Sequence, residues 1–335
     1  MKRTKICDIL DIQYPIVQAP MGWISGAELV AAVSNSGGMG TIGPGVGQEV
    51  VSRDPEVVGE ILRREIRKTQ ELTSKPFAVN CPVGRRGKAV CDRRLEVCIE
   101  EGVKVAVVSM GSPDEYTRQM HDAGMKVIHV VGSSRHALRA QQSGVDIVVA
   151  QGHEAGGHSS PDEIPSLVLV PQVVDAVSIP VLAAGGIGDA RGVVASMALG
   201  AEGVYMGTRF MPTMECTCHP AVKDAIVSSR DDSYVAYGRR VYSITRSIKN
   251  EFTKKFLEME FAGVPAEELR AFDRYYDPGD DDRHRMIRGL KDGEMEWGAV
   301  PMGPIGGLVK EITSATDVMK DLIGGYDSVM ARLKD

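Results

Sequence analysis

Short apolar runs alternate with amphipathic stretches along the first 210 residues of the chain. The runs are rich in valine, isoleucine and alanine and end at glycine, proline or polar residues, which is typical of buried parallel strands. The stretches between them have apolar stripes at helical spacing, as with Leu29, Val30 and Val33. The predicted strands cover residues 14–21, 39–42, 77–80, 103–108, 125–131, 145–150, 179–184 and 203–206.

Eight strands, each followed by a helix or by a long connection, predict a closed (β/α)8 TIM barrel. An open doubly wound sheet is the alternative. Residues 211–300 interrupt the alternation; they are charged and helical in pattern, and we interpret them as a mostly helical insertion, or lid, after strand eight. The predicted barrel domain therefore comprises residues 1–210 and 301–335, with an amphipathic helix at 315–333 as its last helix.

Composition narrows the class of protein. The 335 residues are 43% hydrophobic and 25% charged, as in globular proteins. A net charge of -6 argues against nucleic acid or a membrane surface as partner, and no apolar run approaches the ~20 residues of a membrane span. We expect a cytoplasmic enzyme with a small-molecule substrate, and we consider a homodimer as its assembly. The six scattered cysteines form no C-x-x-C pair, so no metal site and no disulfide is expected.

Two glycine turns predict an anion site. The sequence A-A-G-G-I-G (183–188) follows the seventh strand and precedes a helix, and M-G-T-R (206–209) follows the eighth strand. Backbone N–H groups in such turns bind anions, and the loops after strands seven and eight of a barrel together hold phosphate. By contrast, G-M-G-T-I-G (38–43) matches a dinucleotide fingerprint only in letters, because a helix precedes it and a proline follows it.

Polar side chains at three strand ends predict a polar rim around the same barrel mouth. Gln18, Asn80 and Gln151 each carry an amide that can both donate to and accept from the edge of a flat ring such as a flavin. Met21 and Gly22, after the first strand, provide a flat apolar floor for such a ring.

Two histidines follow the sixth strand, in the glycine-rich loop Q-G-H-E-A-G-G-H (151–158). The two glycines before His158 let the backbone pass close to a flat ligand and direct the imidazole inward. We therefore predict that His158 is functional and interpret His153 as an ordinary solvated loop residue.

Five motifs, in this order and spacing, resemble the nitronate monooxygenase (2-nitropropane dioxygenase) family. They are P-I-V-Q-A-P-M (15–21), P-F-A-V-N (76–80), Q-G-H-E-A-G-G-H (151–158), P-V-L-A-A-G-G-I-G (180–188) and G-V-Y-M-G-T-R-F (203–210). That family also holds the FMN-dependent enoyl-acyl carrier protein reductases and related NAD(P)H:quinone reductases. The resemblance covers nearly the whole chain and implies non-covalently bound FMN, with NAD(P)H as an alternative co-substrate.

The resemblance also implies roles for particular residues, with His158 as the catalytic histidine. The phosphate of FMN is expected at Ala184, Gly185, Gly186, Gly207 and Thr208. The ring and ribityl chain are expected at Pro20, Met21, Gly22, Asn80 and Gln151, and the cofactor-binding set also includes Ala19 and Gly157. Two departures stand out: the family's reductases often carry an acid at the position of Gln151, and residues 81–88 are unusually basic.

Two activities follow from these expectations. In the first, a nitronate gives an electron to FMN, oxygen completes the reaction, and His158 hydrogen-bonds the nitronate or takes a proton from a neutral nitroalkane. In the second, NAD(P)H reduces FMN, which reduces an enoyl thioester or a quinone. Two basic groups are candidates for binding the phosphates of such a substrate: Arg85, Arg86 and Lys88, and in the insertion Arg239, Arg240, Arg246 and Lys249.

Overall fold

A computed structural model describes residues 1–83, 87–241, 244–273 and 284–334 of the chain. Eight parallel strands form one sheet, in the order β1-β9-β8-β6-β5-β4-β3-β2. Their bounds are β1 Ile16–Gln18, β2 Thr41–Ile42, β3 Ala78–Pro82, β4 Val105–Ser109, β5 Lys126–Val131, β6 Ile147–Gln151, β8 Val181–Ala184 and β9 Gly203–Met206.

The sheet closes on itself between its first and last strands. Val17 in β1 forms a parallel bridge with Met39, just before β2. The Gln18 N–H donates to the Met39 carbonyl at 2.8 Å, and the Met39 N–H donates to the Ile16 carbonyl at 3.0 Å. These bonds confirm the TIM barrel and exclude the open doubly wound sheet.

Side chains alternate between the barrel interior and the surrounding helices because successive residues of a strand point to opposite faces. The interior is one buried cluster that contains Val17, Met39, Val107, Val149 and Tyr205. The short helix α1 (Lys5–Leu10) adds Ile6, Cys7 and Leu10 to the same cluster and closes the amino end of the barrel. Only the carboxyl ends of the strands are therefore left open.

Helices cover the outside of the barrel. They are α2 Ala27–Asn35, α3 Pro55–Leu72, α4 Lys88–Glu100, α5 Thr117–Asp122, α6 Ser134–Gln142, α7 Ser166–Ala176, α8 Ala190–Ala198 and α13 Ala315–Arg332. The Asp54 side chain accepts hydrogen bonds from the first-turn N–H groups of α3 and fixes its start. The last helix, α13, packs between α8 and α2, which confirms its predicted place as the eighth barrel helix.

Residues 211–300 contain four helices and a hairpin within their described part. The helices are α9 Pro220–Val227, α10 Glu251–Phe261, α11 Ala266–Asp273 and α12 Arg285–Leu290. Strands β10 (Tyr234–Tyr237) and β11 (Ile244–Ile248) are antiparallel, and β11 also pairs with β7 (Gly157–Ser159), which belongs to the loop after β6. The sequence pattern predicted none of these three strands.

An aromatic cluster holds the hairpin against α10. The Phe256 ring is fully buried, with its centroid 4.9 Å from that of Tyr237 and 6.2 Å from that of Phe252. Phe261 ends the same helix with 83% of its surface exposed. The two phenylalanines of α10 therefore differ almost entirely in burial.

We expect Phe256→Ala to lower the free energy of unfolding by about 3–5 kcal/mol, because it leaves a cavity in a closely packed aromatic cluster. Phe261→Ala, the matched control, should change it by less than about 0.5 kcal/mol. Urea unfolding followed by circular dichroism measures both. Equal effects of the two substitutions would contradict the packing described for the insertion.

Candidate active site

One cavity opens at the carboxyl ends of the barrel strands, with a volume of about 510 Å³. Its wall is mostly apolar, which is usual for a small-molecule site. The residues expected from the family resemblance to hold the cofactor or to act in catalysis lie on this wall: Ala19, Pro20, Met21, Gly22, Asn80, Gln151, Gly157, His158, Ala184, Gly185, Gly186, Gly207 and Thr208. The structure thus brings together residues from five separate sequence motifs.

The glycine turns after β8 and β9 form a cradle of backbone donors. Gly185 and Gly186 have φ angles of 91° and 74°, a conformation that favours glycine, and a Cβ at Gly185 would lie 2.9 Å from the Gly152 carbonyl oxygen. Within the described residues, the N–H groups of Gly186, Gly207 and Thr208 donate to no acceptor. Unsatisfied N–H groups directed at a cavity suit an anion such as phosphate.

The Glu154 carboxylate lies beside the cradle and lines the same cavity. Glu154 accepts hydrogen bonds from the Ser166 N–H at 2.9 and 3.0 Å, at the start of α7, where a negative charge is favoured. The Ser166 hydroxyl lies 2.9 Å from both the Glu154 carboxylate and the Gly185 carbonyl oxygen. Glu154 therefore links the loop after β6 to the turn after β8.

Asn80 and Gln151 present acceptors to the cavity. The Asn80 amide nitrogen donates to the Val107 carbonyl at 2.9 Å, and the Gln151 amide nitrogen donates to the His158 carbonyl at 2.6 Å. Both amide nitrogens are thereby engaged, while the two amide oxygens accept no hydrogen bond from the described residues. The two side chains are suited to accept a hydrogen bond from a ligand.

Gln18 does not belong to the polar rim, so this prediction is wrong. Its side chain is fully buried and does not line the cavity. Its amide oxygen accepts from the Thr41 N–H at 2.9 Å, and its amide nitrogen donates to the Ala19 carbonyl. Val17 faces the barrel interior, so the next residue must face outward, where Gln18 joins β1 to β2.

His158 is positioned by the insertion. It is the central residue of β7 and lies opposite Thr245 of β11. The Thr245 hydroxyl is 3.1 Å from His158 Nδ1. Sequence reasoning placed His158 in a loop, because three residues give no strand pattern and the pairing partner lies far along the chain.

His153 lies outside the cavity wall. Its Nε2 is 3.3 Å from Glu163, which forms an ion pair with Arg239 at 2.7 Å. The hydrogen bond from Arg239 lowers the pKa of Glu163, and burial lowers the pKa of His153. His153 is therefore partly buried beside Glu163, and the prediction of a solvated side chain is wrong.

Three of the four basic residues named in the insertion, and Lys88 of the other group, make structural contacts. Arg239 pairs with Glu163, Arg240 donates to the carbonyls of Glu260 and Val264, and Arg246 donates to the His153 carbonyl. In the other group, Lys88 forms ion pairs with Asp92 and Glu115 at 3.0 and 3.1 Å. Arg85 and Arg86 lie outside the described residues.

Sequence reasoning missed a second wall of the cavity. The loop after β1 and the insertion supply it, through Trp23, Ile24, Met211, His284, Met286 and Leu290. The rings of Trp23 and His284 lie 5.2 Å apart. Trp23 has a φ of 64°, an uncommon value for a bulky residue and one that clusters at ligand sites. No sequence pattern predicted that these residues line the cavity, because their position depends on how the insertion packs against the barrel.

In the described ranges, no group of His, Cys, Asp and Glu side chains could hold a metal ion. Over the same ranges no helix is both long and apolar enough to cross a membrane. All six cysteines are buried thiols. Within the described residues, the cavity at the strand ends is therefore the candidate active site.

Residues 3–89 and 82–325 match the protein-family model for nitronate monooxygenase. A (3aS,4S,5R,7aS)-5-hydroxy-7a-methyl-1-oxo-octahydro-1H-indene-4-carboxyl-CoA dehydrogenase of Mycobacterium tuberculosis is 30% identical over 96% of this chain and 95% of its own length. The protein of the same name from Rhodococcus jostii is 36% identical over 73% of this chain, and the match spans 63% of that protein. A probable nitronate monooxygenase of Staphylococcus saprophyticus is 34% identical over 77% of this chain and 81% of its own.

Among solved structures, FabK from Thermotoga maritima superposes with a TM-score of 0.87 at 35% identity, covering 100% of this chain and 99% of FabK. The nitroalkane oxidase of Streptomyces ansochromogenes superposes with a TM-score of 0.79 at 25% identity, covering 98% of this chain and 99% of that protein. Both likenesses extend over the barrel and the insertion together.

Proposed function

The chain belongs to the nitronate monooxygenase family, and from this premise we propose that it is an FMN-dependent oxidoreductase with His158 as its acid/base group. The observation that carries the proposal is the meeting of three features in one cavity: the glycine cradle, the acceptors of Asn80 and Gln151, and His158. A cofactor with a phosphate and a flat ring that bears an N–H group matches this donor and acceptor set.

The cradle supports FMN at its phosphate end. Gly186, Gly207 and Thr208 offer N–H groups. Among the described residues, Glu154, already bonded to Ser166, is the one carboxylate side chain that lines the cavity. Pro20 and Met21 provide an apolar surface for the ring on the same cavity wall, with the Met21 side chain next to Gly207. When bound, FMN supplies the electron transfer, and the protein's part is position and electrostatics.

His158 supplies the proton chemistry in this proposal. In this proposal the imidazole holds or moves a proton at the substrate, and the Thr245 hydroxyl, 3.1 Å from Nδ1, orients the ring. Gln151 fixes the backbone of the same residue through its carbonyl oxygen. An imidazole titrates near the pH of the cell, which suits either an acid or a base.

We infer an alkyl nitronate as the first substrate candidate, with oxygen as the final oxidant. A nitronate is an anion whose charge is spread over carbon and two oxygens, so a single donor such as His158 can bind it. The family model that spans the chain carries this activity in its description, which supports the candidate.

An acyl or enoyl thioester is the second substrate candidate. Where the thioester is reduced, NAD(P)H is the co-substrate. A quinone is the other electron acceptor that NAD(P)H would reduce through FMN. One observation favours a larger substrate: the cavity has an additional apolar wall, to which Trp23, Met211, Met286 and Leu290 contribute. Two curated relatives are also named as dehydrogenases of a carboxyl-CoA ester.

The two candidate activities differ in the compound that reduces the bound flavin in the absence of oxygen, and reduction is seen as loss of the flavin's visible absorbance. We expect an alkyl nitronate alone to bleach it if the protein is a monooxygenase. Bleaching by NADH or NADPH and not by the nitronate would favour the reductase, to be followed with enoyl thioesters and quinones. A purified protein with no flavin absorbance, and none after incubation with FMN, would refute the whole proposal.

His158→Ala should leave FMN bound and slow turnover by at least ~100-fold, the usual scale for a lost acid or base. His153→Ala is the matched control, because His153 follows the same strand but does not line the cavity. Steady-state rates and the flavin content of both variants are the measurements. Turnover in His158→Ala that equals the control would remove His158 from the chemistry.

Gly186→Asp should abolish FMN binding, because a carboxylate would stand at the phosphate cradle. Gly186→Asn is the matched control, because the Asn side chain has nearly the same shape as that of Asp. Both residues tolerate a positive φ, so the two variants differ mainly in the charge of the side chain. We expect the Asn variant to keep FMN with reduced affinity. Flavin content after gel filtration tests both, and stoichiometric FMN in the Asp variant would place the phosphate elsewhere.

A further inference from the structure

We propose that Met110 is a specificity-determining residue of the cavity, whose side chain contacts the hydrocarbon chain that the substrate carries beside its reacting group. The inference rests on the proposed function and deepens it, because it names the part of the substrate that the protein selects. An alkyl nitronate and an acyl or enoyl thioester both carry such a chain.

Met110 has a backbone conformation that is uncommon for its residue type. Among the described residues, four other than glycine have a positive φ: Asp11, Trp23, Met110 and Glu163. The φ of Met110 is 67°, in the left-handed region where a Cβ is unfavourable and glycine or asparagine is the usual residue. Met110 and Trp23 line the cavity, whereas Asp11 and Glu163 do not. The two bulky residues with this strain thus both lie at the candidate active site.

Core packing offsets the strain at Trp23 but not at Met110. Trp23 is 6% exposed and belongs to the larger hydrophobic cluster. Met110 is 39% exposed and belongs to neither hydrophobic cluster of the described residues. Backbone strain of this kind concentrates at ligand sites. A strained, exposed apolar residue on a cavity wall therefore points to a contact with a ligand.

The turn that carries Met110 is held in place by Val83, which follows β3. The Val83 N–H donates to the Ser109 carbonyl at 3.0 Å. A Cβ at Gly111 would lie 2.8 Å from the Val83 carbonyl oxygen, so the two loops are in close backbone contact. Glycine would adopt the left-handed conformation of residue 110 without strain. The turn alone therefore does not account for a methionine at this position.

Met110 lies beside a polar residue that we assign to the cofactor ring. It follows Ser109, whose hydroxyl accepts a hydrogen bond from the Asn80 amide nitrogen at 3.2 Å. Strand β4 is four strands away from β9 in the closed eight-stranded sheet, so Met110 lies across the barrel mouth from the Gly207 turn of the cradle. A substrate that reacts at the ring is therefore expected on the Met110 side of the mouth, away from the phosphate.

The chemistry of the side chain indicates an apolar and flexible partner. Methionine has three rotatable bonds, a polarisable sulfur and no hydrogen-bond donor, so it adapts to apolar groups of different shapes. A hydrocarbon chain gains from burial against such a surface, whereas a charged group does not. Met110 thus selects the chain, and polar recognition of the reacting group remains with His158.

Three substitutions separate the side chain from the backbone strain. Met110→Ala removes the side chain beyond Cβ and keeps the strain, whereas Met110→Gly removes both. Met110→Leu keeps an apolar side chain of similar volume. Asp11→Gly is the matched control for relief of strain, because Asp11 has a φ of 54° at the exposed end of α1 and does not line the cavity.

Straight-chain carboxylates from acetate to octanoate serve as binding probes for the FMN-loaded protein, because each combines a planar anion with a hydrocarbon chain. Isothermal titration calorimetry measures their Kd values. In the wild type, each added methylene should tighten binding by up to about fourfold. In Met110→Ala and Met110→Gly, octanoate should bind about fivefold to tenfold more weakly and acetate less than about twofold more weakly. Met110→Leu and Asp11→Gly should keep the wild-type preference for long chains.

Steady-state rates identify the class of substrate that carries the chain. The ratio kcat/KM is measured for a series of alkyl nitronates of increasing length and, with NADH or NADPH, for a matching series of enoyl thioesters. In Met110→Ala the preference for long chains should be lost through KM with little change in kcat, because the contact is the same in the ground state and the transition state. The series in which this loss occurs identifies the substrate class.

Thermal unfolding separates selection of the chain from a structural role. Met110→Ala should have a Tm close to that of the wild type, because the side chain makes no core contact. Met110→Gly should unfold at the same or a higher Tm than Met110→Ala, because glycine relieves the strain. A clearly lower Tm in Met110→Ala would overturn the inference, because the side chain would then serve packing.

Three binding results would also overturn the inference. They are a wild type that binds octanoate no more tightly than acetate, unchanged octanoate binding in Met110→Ala, and an equal loss for acetate and octanoate in that variant. Weaker FMN binding in Met110→Ala would contradict it as well, because the side chain would then contact the cofactor. Absence of FMN binding in the wild type would instead refute the proposed function, so the two failures are distinguishable.

Discussion

Closure of the sheet between β1 and β2 is the constraint on which the rest of the structure depends. The Val17–Met39 bridge and its flanking backbone bonds join the ends of a sheet that would otherwise stay open. Once the sheet closes, the carboxyl ends of all eight strands surround one mouth, and α1 closes the opposite end. Loops that are far apart along the chain then line one cavity. The glycine cradle and the polar side chains of β3 and β6 meet for this reason alone.

The barrel and the eighth helix could be predicted because their signals are local. Apolar runs and helical stripes are read within a few residues, and helix α7 and strand β9 have the predicted bounds. The glycine cradle was also predictable, because a glycine turn between a strand and a helix leaves backbone N–H groups without acceptors. Strand β7 was not predictable in this way: its three residues form a strand only because β11 lies beside them. The hairpin of β10 and β11 was not predicted, because the charged residues of the insertion gave the whole segment a helical pattern.

Alternation along a strand explains both an error and an omission at the site. Asn80 has the same parity as Ala78, and Gln151 the same as Val149, which both face the barrel interior, so the two amides reach the cavity. Gln18 has the opposite parity from Val17 and turns away from it. The same rule places Tyr205, which also lines the cavity, inside the barrel, and counting residues from the strand ends would have found it. The apolar second wall, with Trp23 and His284, depends on the fold of the insertion, for which no such rule exists.

The small sheet that joins β7 to the insertion has a consequence for how such enzymes diversify. His158 and the hairpin strand β11 share one set of backbone hydrogen bonds, and Thr245 contacts the imidazole from that strand. The insertion, which forms part of the outer wall of the cavity, is thus joined by backbone hydrogen bonds to β7, the strand that positions His158. With the proposed role of His158, exchange of the insertion for one of different length would alter substrate selectivity and proton transfer together. New specificities are therefore more accessible through single side chains on α12 than through wholesale replacement of the insertion.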